Sequence, residues 1–267
     1  MVPLADFIAR HRSLLVITGA GCSAASGIPT YRNERAEWQR GTPIQHAEFL
    51  ASEQSRRRYW ARSFAGWPAV RDATPNGAHT GLAALERKGR IGLLVTQNVD
   101  GLHQKAGHRN VVDLHGRLDS VLCVDCGAVS SRAAFQASLQ RLNPHLRLER
   151  SHLTPDGDAE VDGIDSMKIE IPTCERCNGV IKPNVVFYGG SVDRFLVEKV
   201  YTALEDADGV LVAGSSLMVF SAFRFVRRAA GDGKPIAIVN RGITRADDFA
   251  TIKLDVDCES VLSDLGR

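Results

Sequence analysis

Two cysteine pairs, Cys123-x-x-Cys126 and Cys174-x-x-Cys177, form a metal-ligand pattern. A two-residue spacer lets both sulfurs of a pair reach one tetrahedral ion, and two pairs complete a four-sulfur shell. One pair alone is open to chance or to a redox role. Two pairs in a turn-rich stretch read as one zinc ion per chain. Four sulfurs leave no position for water, so the ion is expected to be structural, organising a segment too small to build its own core. The other two of the six cysteines, Cys22 and Cys258, read as small buried apolar residues.

Three further clusters could do chemistry, and each has a plainer reading. Gly19-Ala20-Gly21-Cys22-Ser23-Ala24-Ala25-Ser26-Gly27 follows an apolar run. Its glycines would let backbone amides approach a pyrophosphate, with the positive end of the next helix behind them. A strand-to-helix turn reads the same way. The acidic residue that a dehydrogenase fingerprint places about 20 positions on, at the end of a second strand, is missing. Glu34 and Glu37 follow no strand, and no hydride-transfer partner is evident. Gln97-Asn98-Val99-Asp100 puts three hydrogen-bonding side chains at another run's end, where Asn and Asp also serve simply as turn formers. Asp113-Leu114-His115-Gly116 ends a third, and His115 is the only histidine so placed. An imidazole titrating near pH 6.5 suits proton abstraction at neutrality.

The elements that must position these clusters are apolar runs rich in Val, Ile and Leu: Leu14–Thr18, Ile91–Thr96, Val111–Leu114, Val210–Ala213, Ile236–Val239 and Ile252–Val256. They lack in/out alternation, so they read as strands buried on both faces of a parallel sheet. Helical stretches between them, among them Gly77–Lys88, Val192–Asp206 and Ala222–Ala230, imply an α/β fold with a doubly wound, Rossmann-like parallel sheet. Gly214-Ser215-Ser216 and Asn240-Arg241-Gly242 also follow strands. The polar clusters therefore gather along the sheet's carboxyl edge, where this architecture binds ligands. Residues 120–181 break the rhythm with short strands, frequent turns and all four paired cysteines. They are expected to be a small zinc-binding module inserted between the two parts of a Rossmann-like domain, 1–119 and 182–267. Within the module, Leu153–Ser166 is acidic and Gly-rich and reads as a surface loop.

Bulk properties exclude several classes. At 267 residues and 44% apolar, the chain can bury the core of one large domain with a small insert. A net charge of +2 argues against a nucleic-acid-wrapping protein, and Arg56-Arg57-Arg58 reads as a solvated helix face. No run approaches the roughly 18 apolar residues of a membrane span. Asp6 and Arg10 interrupt the N-terminus before a signal-like apolar core forms. A soluble, cytoplasmic protein is expected, in which paired thiols are metal ligands rather than disulfides.

In order along the chain, several motifs together resemble the sirtuin family. They are Gly19-Ala20-Gly21-Cys22-Ser23, Gly27-Ile28-Pro29-Thr30-Tyr31-Arg32, Thr96-Gln97-Asn98-Val99-Asp100, Leu114-His115-Gly116 and the two knuckles. Lys182-Pro183-Asn184-Val185-Val186-Phe187-Tyr188-Gly189, Gly214-Ser215-Ser216-Leu217 and Asn240-Arg241 complete the series. The resemblance spans essentially the whole chain. Arg58-Tyr59-Trp60-Ala61-Arg62-Ser63, Leu142-Asn143-Pro144, Pro155-Asp156-Gly157-Asp158 and Thr244-Arg245-Ala246-Asp247-Asp248 make it most similar to class II sirtuins, the group containing the animal mitochondrial member numbered four. Its start at the first strand suggests a bacterial relative without an import sequence.

The resemblance implies an NAD-dependent protein lysine deacylase whose partners are acylated-lysine proteins or peptides. The acyl oxygen of the bound lysine would attack the ribose carbon as nicotinamide departs. His115 would take a proton from a ribose hydroxyl, which closes on the imidate carbon before water releases lysine and acyl-ADP-ribose. Gly19, Ala20, Gly21 and Ser23 would hold the pyrophosphate, and Gly214, Ser215 and Ser216 phosphate and ribose. Asn240 and Arg241 would meet the adenosine side, and the backbone at Cys258 the adenine. Gln97 and Asn98 would address the nicotinamide ribose, and Ile28 and Asp100 the nicotinamide carboxamide. Tyr31 would shield the reacting carbon, and Arg32 belongs to the same cofactor-binding segment. Val185, Phe187 and Tyr188 would line the acyl-lysine tunnel. Gly189, with Met218–Phe220 and so Val219 opposite, would clamp the substrate backbone as an added strand.

The chain departs from the family in places. Thr30 stands where many sirtuins carry Asp, and Ser221 replaces a common Pro. Tyr59-Trp60-Ala61-Arg62 has the Tyr-x-x-Arg spacing of succinyl-selective members but follows the class II pattern, so it assigns no acyl preference. The insert Leu142–Pro172 is a candidate to shape the acyl pocket. Two other readings remain at this stage: protein ADP-ribosyl transfer, and a non-catalytic NAD-binding or zinc-ribbon interaction module. A nucleic-acid-binding ribbon would want basic and aromatic residues around its knuckles, which Cys123-Val124-Asp125-Cys126 and Cys174-Glu175-Arg176-Cys177 do not supply.

Overall fold

The computed structural model describes residues 2–39, 43–144, 146, 150–161 and 168–266. In chain order the elements are α1 (Val2–Arg10), β1 (Leu14–Thr18), α2 (Ala20–Ser23), α3 (His46–Ala51), α4 (Glu53–Asp72), α5 (Gly77–Arg87), β2 (Ile91–Thr96), α6 (Leu102–Lys105), β3 (Val111–Asp113), β4 (Gly116–Cys123) and β5 (Val129–Ser131). They continue with α7 (Arg132–Leu142), β6 (Arg150–Leu153), β7 (Ala159–Val161), β8 (Ile181–Val185), α8 (Arg194–Asp206), β9 (Gly209–Ala213), α9 (Phe220–Gly231), β10 (Ile236–Val239), β11 (Ile252–Leu254) and α10 (Cys258–Leu262).

Six strands form one parallel sheet in the order β11-β10-β9-β1-β2-β3. Alternate residues of a strand point to opposite faces. Leu15 and Ile17 of β1 join Val210 and Val212 of β9 in a core closed by Val200 and Leu204 of α8 and Phe225 and Val226 of α9. Leu14 and Val16 join Leu211 and Ala213 in a second core on the opposite face, closed by Leu4 and Phe7 of α1, Leu82 and Leu85 of α5, and Leu262 of α10. Both faces are covered by helices, which is why these runs show no polar alternation. The strand order reverses between β1 and β9, and this switch point opens a crevice at the carboxyl ends of both strands.

Most of the remaining elements form a second body. Strands β5-β4-β8 make a three-stranded antiparallel sheet. It packs with α4 and α7 around Phe49, Trp60, Leu118, Val121, Phe135 and Ile181. Arg132 lies fully buried here, its guanidinium 4.8 Å from the Trp67 ring centre and 5.3 Å from that of Trp60. Burial pushes its pKa down to about 10, and it donates to the Ser63 carbonyl and the Gln136 side chain. Arg57 and Arg58 of the basic run pair with Glu53 and Glu48 on the outside of α4.

The structure corrects several sequence expectations. The strands anticipated over Val111–Leu114 and Ile252–Val256 end one and two residues sooner, at Asp113 and Leu254. Helix α8 starts at Arg194 rather than Val192, because the Asp193 side chain accepts the Phe195 N–H and caps it. Helix α9 extends beyond Ala222–Ala230 at both ends. The expected surface loop Leu153–Ser166 is in its first half a hairpin, β6 against β7; residues 162–166 lie outside those described. Its turn is not at the surface: Thr154, Asp158 and Ala159 are buried.

The reason lies in α4. Gly66 presents bare backbone to the hairpin, and a Cβ there would sit 2.4 Å from the Asp158 carbonyl carbon and 2.5 Å from the Gly157 oxygen. Backbone cannot move aside as a side chain can. Gly66→Ala is therefore expected to destabilise the fold by about 1–3 kcal/mol, even though alanine is the better helix former by about 1 kcal/mol. Urea denaturation of the variant checks the sign.

Candidate active site

The loops after β1 and β9 meet across the switch point. A Cβ on Gly19 would lie 2.8 Å from the Gly214 oxygen, one on Gly21 would lie 2.9 Å from the Gly214 Cα, and one on Gly214 would lie 2.2 Å from the Cys22 nitrogen. Gly214 also has φ +63°, a left-handed conformation that favours glycine. These glycines are thus required first for loop-to-loop packing. The helix expected behind the turn is a single turn, Ala20–Ser23, followed by a 3-10 turn over Ala24–Ser26. The N–H groups of Gly19, Gly21 and Cys22 are spent on the carbonyls of Ala213, Gly214 and Gly19, which hold the loop in place.

The crevice widens into a cavity of about 760 Å3, within the range of small-molecule sites. Gly19, Ala20, Gly21, Gly214, Ser215, Ser216, Asn240, Arg241 and Cys258 line one end. Tyr31, Arg32, Gln97, Asn98 and His115 line the same cavity, as do Val185, Phe187, Tyr188, Gly189 and Val219. Three residues expected to hold the cofactor do not reach its wall, Ser23, Ile28 and Asp100, and neither does Phe220 of the expected clamp. The first three lie behind it. The Asn98 amide donates to Ser23 Oγ at 3.0 Å, and Ser23 Oγ donates to Asp100 Oδ2 at 2.7 Å. Burial raises the Asp100 pKa, an effect opposed by hydrogen bonds from the Leu102 N–H and from Ser23. The Gln97 amide donates to Ser215 Oγ at 2.7 Å, so the loop after β2 is latched to the loop after β9.

His115 sits at the junction of the two bodies. Its carbonyl accepts the Val186 N–H at 2.8 Å. The next residue, Gly116 (φ +79°), starts β4 so close to β8 that a Cβ would lie 2.1 Å from the Asn184 oxygen. The imidazole is half-buried. Its Nδ1 lies 3.0 Å from the Gln97 carbonyl oxygen, which can only accept, so Nδ1 carries the proton. Nε2 is then the acceptor, and Ser221 Oγ donates to it at 2.8 Å. Burial lowers the pKa of His115, with the Gln97 bond opposing, so the ring is neutral at pH 7 and able to accept a proton.

Sequence reasoning placed neither this Ser221 contact nor two further lining residues, Tyr59 and Asp156. The signal for Ser221 was its replacement of a common proline. Asp156 comes from the hairpin turn, so the insert reaches the cavity. Arg62, one helical turn from Tyr59, does not line it; Arg62 lies 3.9 Å from the buried Asp158 instead. At the mouth, Tyr31, Trp38 and Tyr188 form a triangle of edge-on rings with centres 5.6–6.2 Å apart. The Arg32 guanidinium stacks 4.0 Å over Trp38.

The four paired cysteines converge. Cys123 and Cys177 sulfurs lie 3.5 Å apart, and Cys126 and Cys174 sulfurs 3.7 Å apart. A tetrahedral ion with Zn–S bonds of about 2.3 Å needs sulfurs about 3.8 Å apart, so the set fits zinc. The cluster joins the end of β4 to the turn before β8.

Beneath the cavity floor, His79, His103 and His108 are buried side by side, their ring centres 4.8 and 5.1 Å apart in succession. Burial lowers all three, His79 to about 4 and His103 well below its usual value. The unfolded chain protonates its histidines near pH 6.5, whereas the folded one resists until lower pH. Their contribution to stability is therefore fully present above about pH 6.5 and is lost as pH falls from there toward 4. The melting temperature is expected to hold constant above pH 7 and to drop between about pH 6.5 and 5. A His103→Gln variant should show a shallower drop in the same scan.

Comparison with known proteins agrees with this geometry. The sequence model of the Sir2 family matches residues 19–221. The chain is 52% identical over 261 residues to NAD-dependent protein deacetylase 2 of Bradyrhizobium diazoefficiens, covering 97% of this chain and 95% of that one. It is 45% identical over 262 residues to human NAD-dependent protein lipoamidase sirtuin-4, mitochondrial, covering 97% and 83%. Among solved structures it is similar to a Sir2 protein with a p53 peptide and NAD+, with a TM-score of 0.79 at 27% identity over 98% and 95% of the chains. No helix among the described residues is long and apolar enough to cross a membrane.

Proposed function

Since this chain belongs to the Sir2 family, we propose that it is an NAD-dependent protein lysine deacylase that transfers the acyl group to ADP-ribose and releases nicotinamide. The observation that carries this reading is a neutral imidazole in one cavity with a glycine-lined double loop. His115 keeps its Nδ1 proton on the Gln97 carbonyl and turns Nε2 inward.

Bound NAD supplies an electrophilic ribose carbon once nicotinamide leaves. Gly19, Ala20, Gly21, Gly214, Ser215 and Ser216 would hold its phosphates. Asn240, Arg241 and the Cys258 backbone would hold the adenosine end, and Gln97 and Asn98 the nicotinamide ribose. Ser23, Ile28 and Asp100 act from behind the wall, shaping the nicotinamide pocket through Asn98. Tyr31 and Arg32 close the mouth over the reacting centre, excluding water. Val185, Phe187 and Tyr188 accept the acyl-lysine side chain, and Gly189 and Val219 flank its backbone. His115 receives the ribose hydroxyl proton. Cys123, Cys126, Cys174 and Cys177 would hold the structural zinc.

The domain division 1–119, 120–181 and 182–267 is part of the proposal; a separate antiparallel sheet around the cysteines supports an inserted module, although that sheet runs from Gly116 to Val185 and packs on α4 from the first part. A cytoplasmic location is likewise proposed, supported by a four-thiol ligand set, which suits a reducing compartment.

The test is a panel of acyl-lysine peptides, acetyl and longer, incubated with NAD. Nicotinamide release that depends on the acyl group, with acyl-ADP-ribose as co-product, supports the reading. Label left on protein would instead mark ADP-ribosyl transfer. No consumption of NAD with any peptide overturns it.

A further inference from the structure

We propose that Ser221 is the second member of the base: it relays the ribose proton to His115. The proposal rests on the deacylase reading and adds a residue to it.

The geometry is specific. The Gln97 carbonyl fixes the proton on Nδ1, which leaves one lone pair, on Nε2, to do the work. That lone pair is already taken by the Ser221 hydroxyl at 2.8 Å. A second hydroxyl approaching Nε2 from the cavity must therefore either displace Ser221 Oγ or pass its proton through it. Both residues line that cavity, and both are half-buried. Ser221 is the second residue of α9, whose first turn follows directly on Val219 at the cavity wall, so its position is set by the helix rather than by a free loop. Oγ donates its only proton to Nε2 and keeps its acceptor capacity for a second hydroxyl.

The step balances as follows. The ribose O–H bond breaks, and its proton passes to Ser221 Oγ. The proton already on Oγ passes to His115 Nε2, giving an imidazolium whose Nδ1–H stays on the Gln97 carbonyl. The electron pair freed on the ribose oxygen forms the bond to the imidate carbon, whose C=N π pair moves onto the lysine nitrogen. A proline, common at this position in the family, has no hydroxyl and would leave the base to act directly. The serine makes this chain's base a two-residue unit.

Two substitutions and one isotope measurement test the relay. In Ser221→Ala the rate of acyl-ADP-ribose formation, relative to the rate of nicotinamide exchange, is expected to fall about 10-fold or more, part of what a general base contributes. Exchange reports the earlier bond cleavage, so the ratio isolates the proton-transfer step. Rates measured in mixtures of light and heavy water should curve for the wild type, as two protons in flight require, and become linear in Ser221→Ala. Ser221→Thr keeps the hydroxyl and should restore both the ratio and the curvature. A Ser221→Ala ratio within twofold of wild type, or a linear dependence in the wild type, overturns the relay and means that the ribose hydroxyl displaces serine. Wild-type turnover of an acetyl-lysine peptide in the same assay separates failure of this proposal from failure of the deacylase reading.

Discussion

A His115→Tyr variant is expected to form acyl-ADP-ribose about 10²- to 10⁴-fold more slowly than wild type, the range a positioned general base supplies. The loss follows from the tautomer. The Gln97 carbonyl holds the Nδ1 proton and aims Nε2 at the cavity, and no other described imidazole lines that cavity. His79, His103 and His108 lie behind the wall and cannot substitute. A phenol titrates near pH 10, so tyrosine is a poor base at neutrality while keeping a ring in the same place. The fold should survive, because His115 contributes its backbone to the junction with Val186, and tyrosine preserves that bond. Circular dichroism and zinc content establish integrity, and single-turnover product analysis reads the rate. Full turnover by this variant would remove His115 as the base.

Cys174→Ser is expected to release the metal and to unravel the three-stranded sheet. Structural zinc binds with an apparent free energy on the order of 10 kcal/mol, and where the site cannot fold without it that energy is folding energy. Breaking one of four ligands removes most of it. The cysteines tie the end of β4 to the turn before β8, and this small sheet otherwise rests on the core around Trp60, Phe135 and Ile181. The expected result is stoichiometric zinc in the wild type, its loss in the variant, and a lowered melting temperature with ANS binding from the exposed core. A metal-free wild type of undiminished stability would refute the staple.

How much of this was visible in the sequence depends on whether a residue's role is local. The runs Leu14–Thr18, Ile91–Thr96 and Ile236–Val239 coincide with β1, β2 and β10, because burial on both faces writes itself as uninterrupted branched and aliphatic side chains. The cysteine spacing announced a convergent sulfur set for an equally local reason. Helix α4 was less legible: its buried positions include Ser55, Ala61, Ser63 and Gly66 beside Tyr59 and Trp60, so no apolar stripe stands out. The hairpin over Arg150–Leu153 and Ala159–Val161 looked like an acidic loop because its anchor, the bare backbone of Gly66, lies more than ninety positions away in sequence. The glycines after β1 signalled a turn. That they are needed to admit the loop after β9 depends on those two strands being neighbours, which sequence order alone does not give. Ser221 stood out as a departure from a proline, yet its bond to His115 spans 106 positions.

One seam deserves a practical reading. The chain enters the antiparallel sheet at Gly116, one residue after His115, and leaves it at Val185, and these two residues are paired. The proposed base and the proposed wall for the modified side chain are thus fastened together by this pairing and by the Val186 N–H on the His115 carbonyl. Reshaping the pocket to admit a bulkier modification by altering residues near Val185 is expected to strain the backbone that carries the imidazole. Breadth of substrate and speed of turnover are therefore expected to move together, and selections for one should be scored for the other.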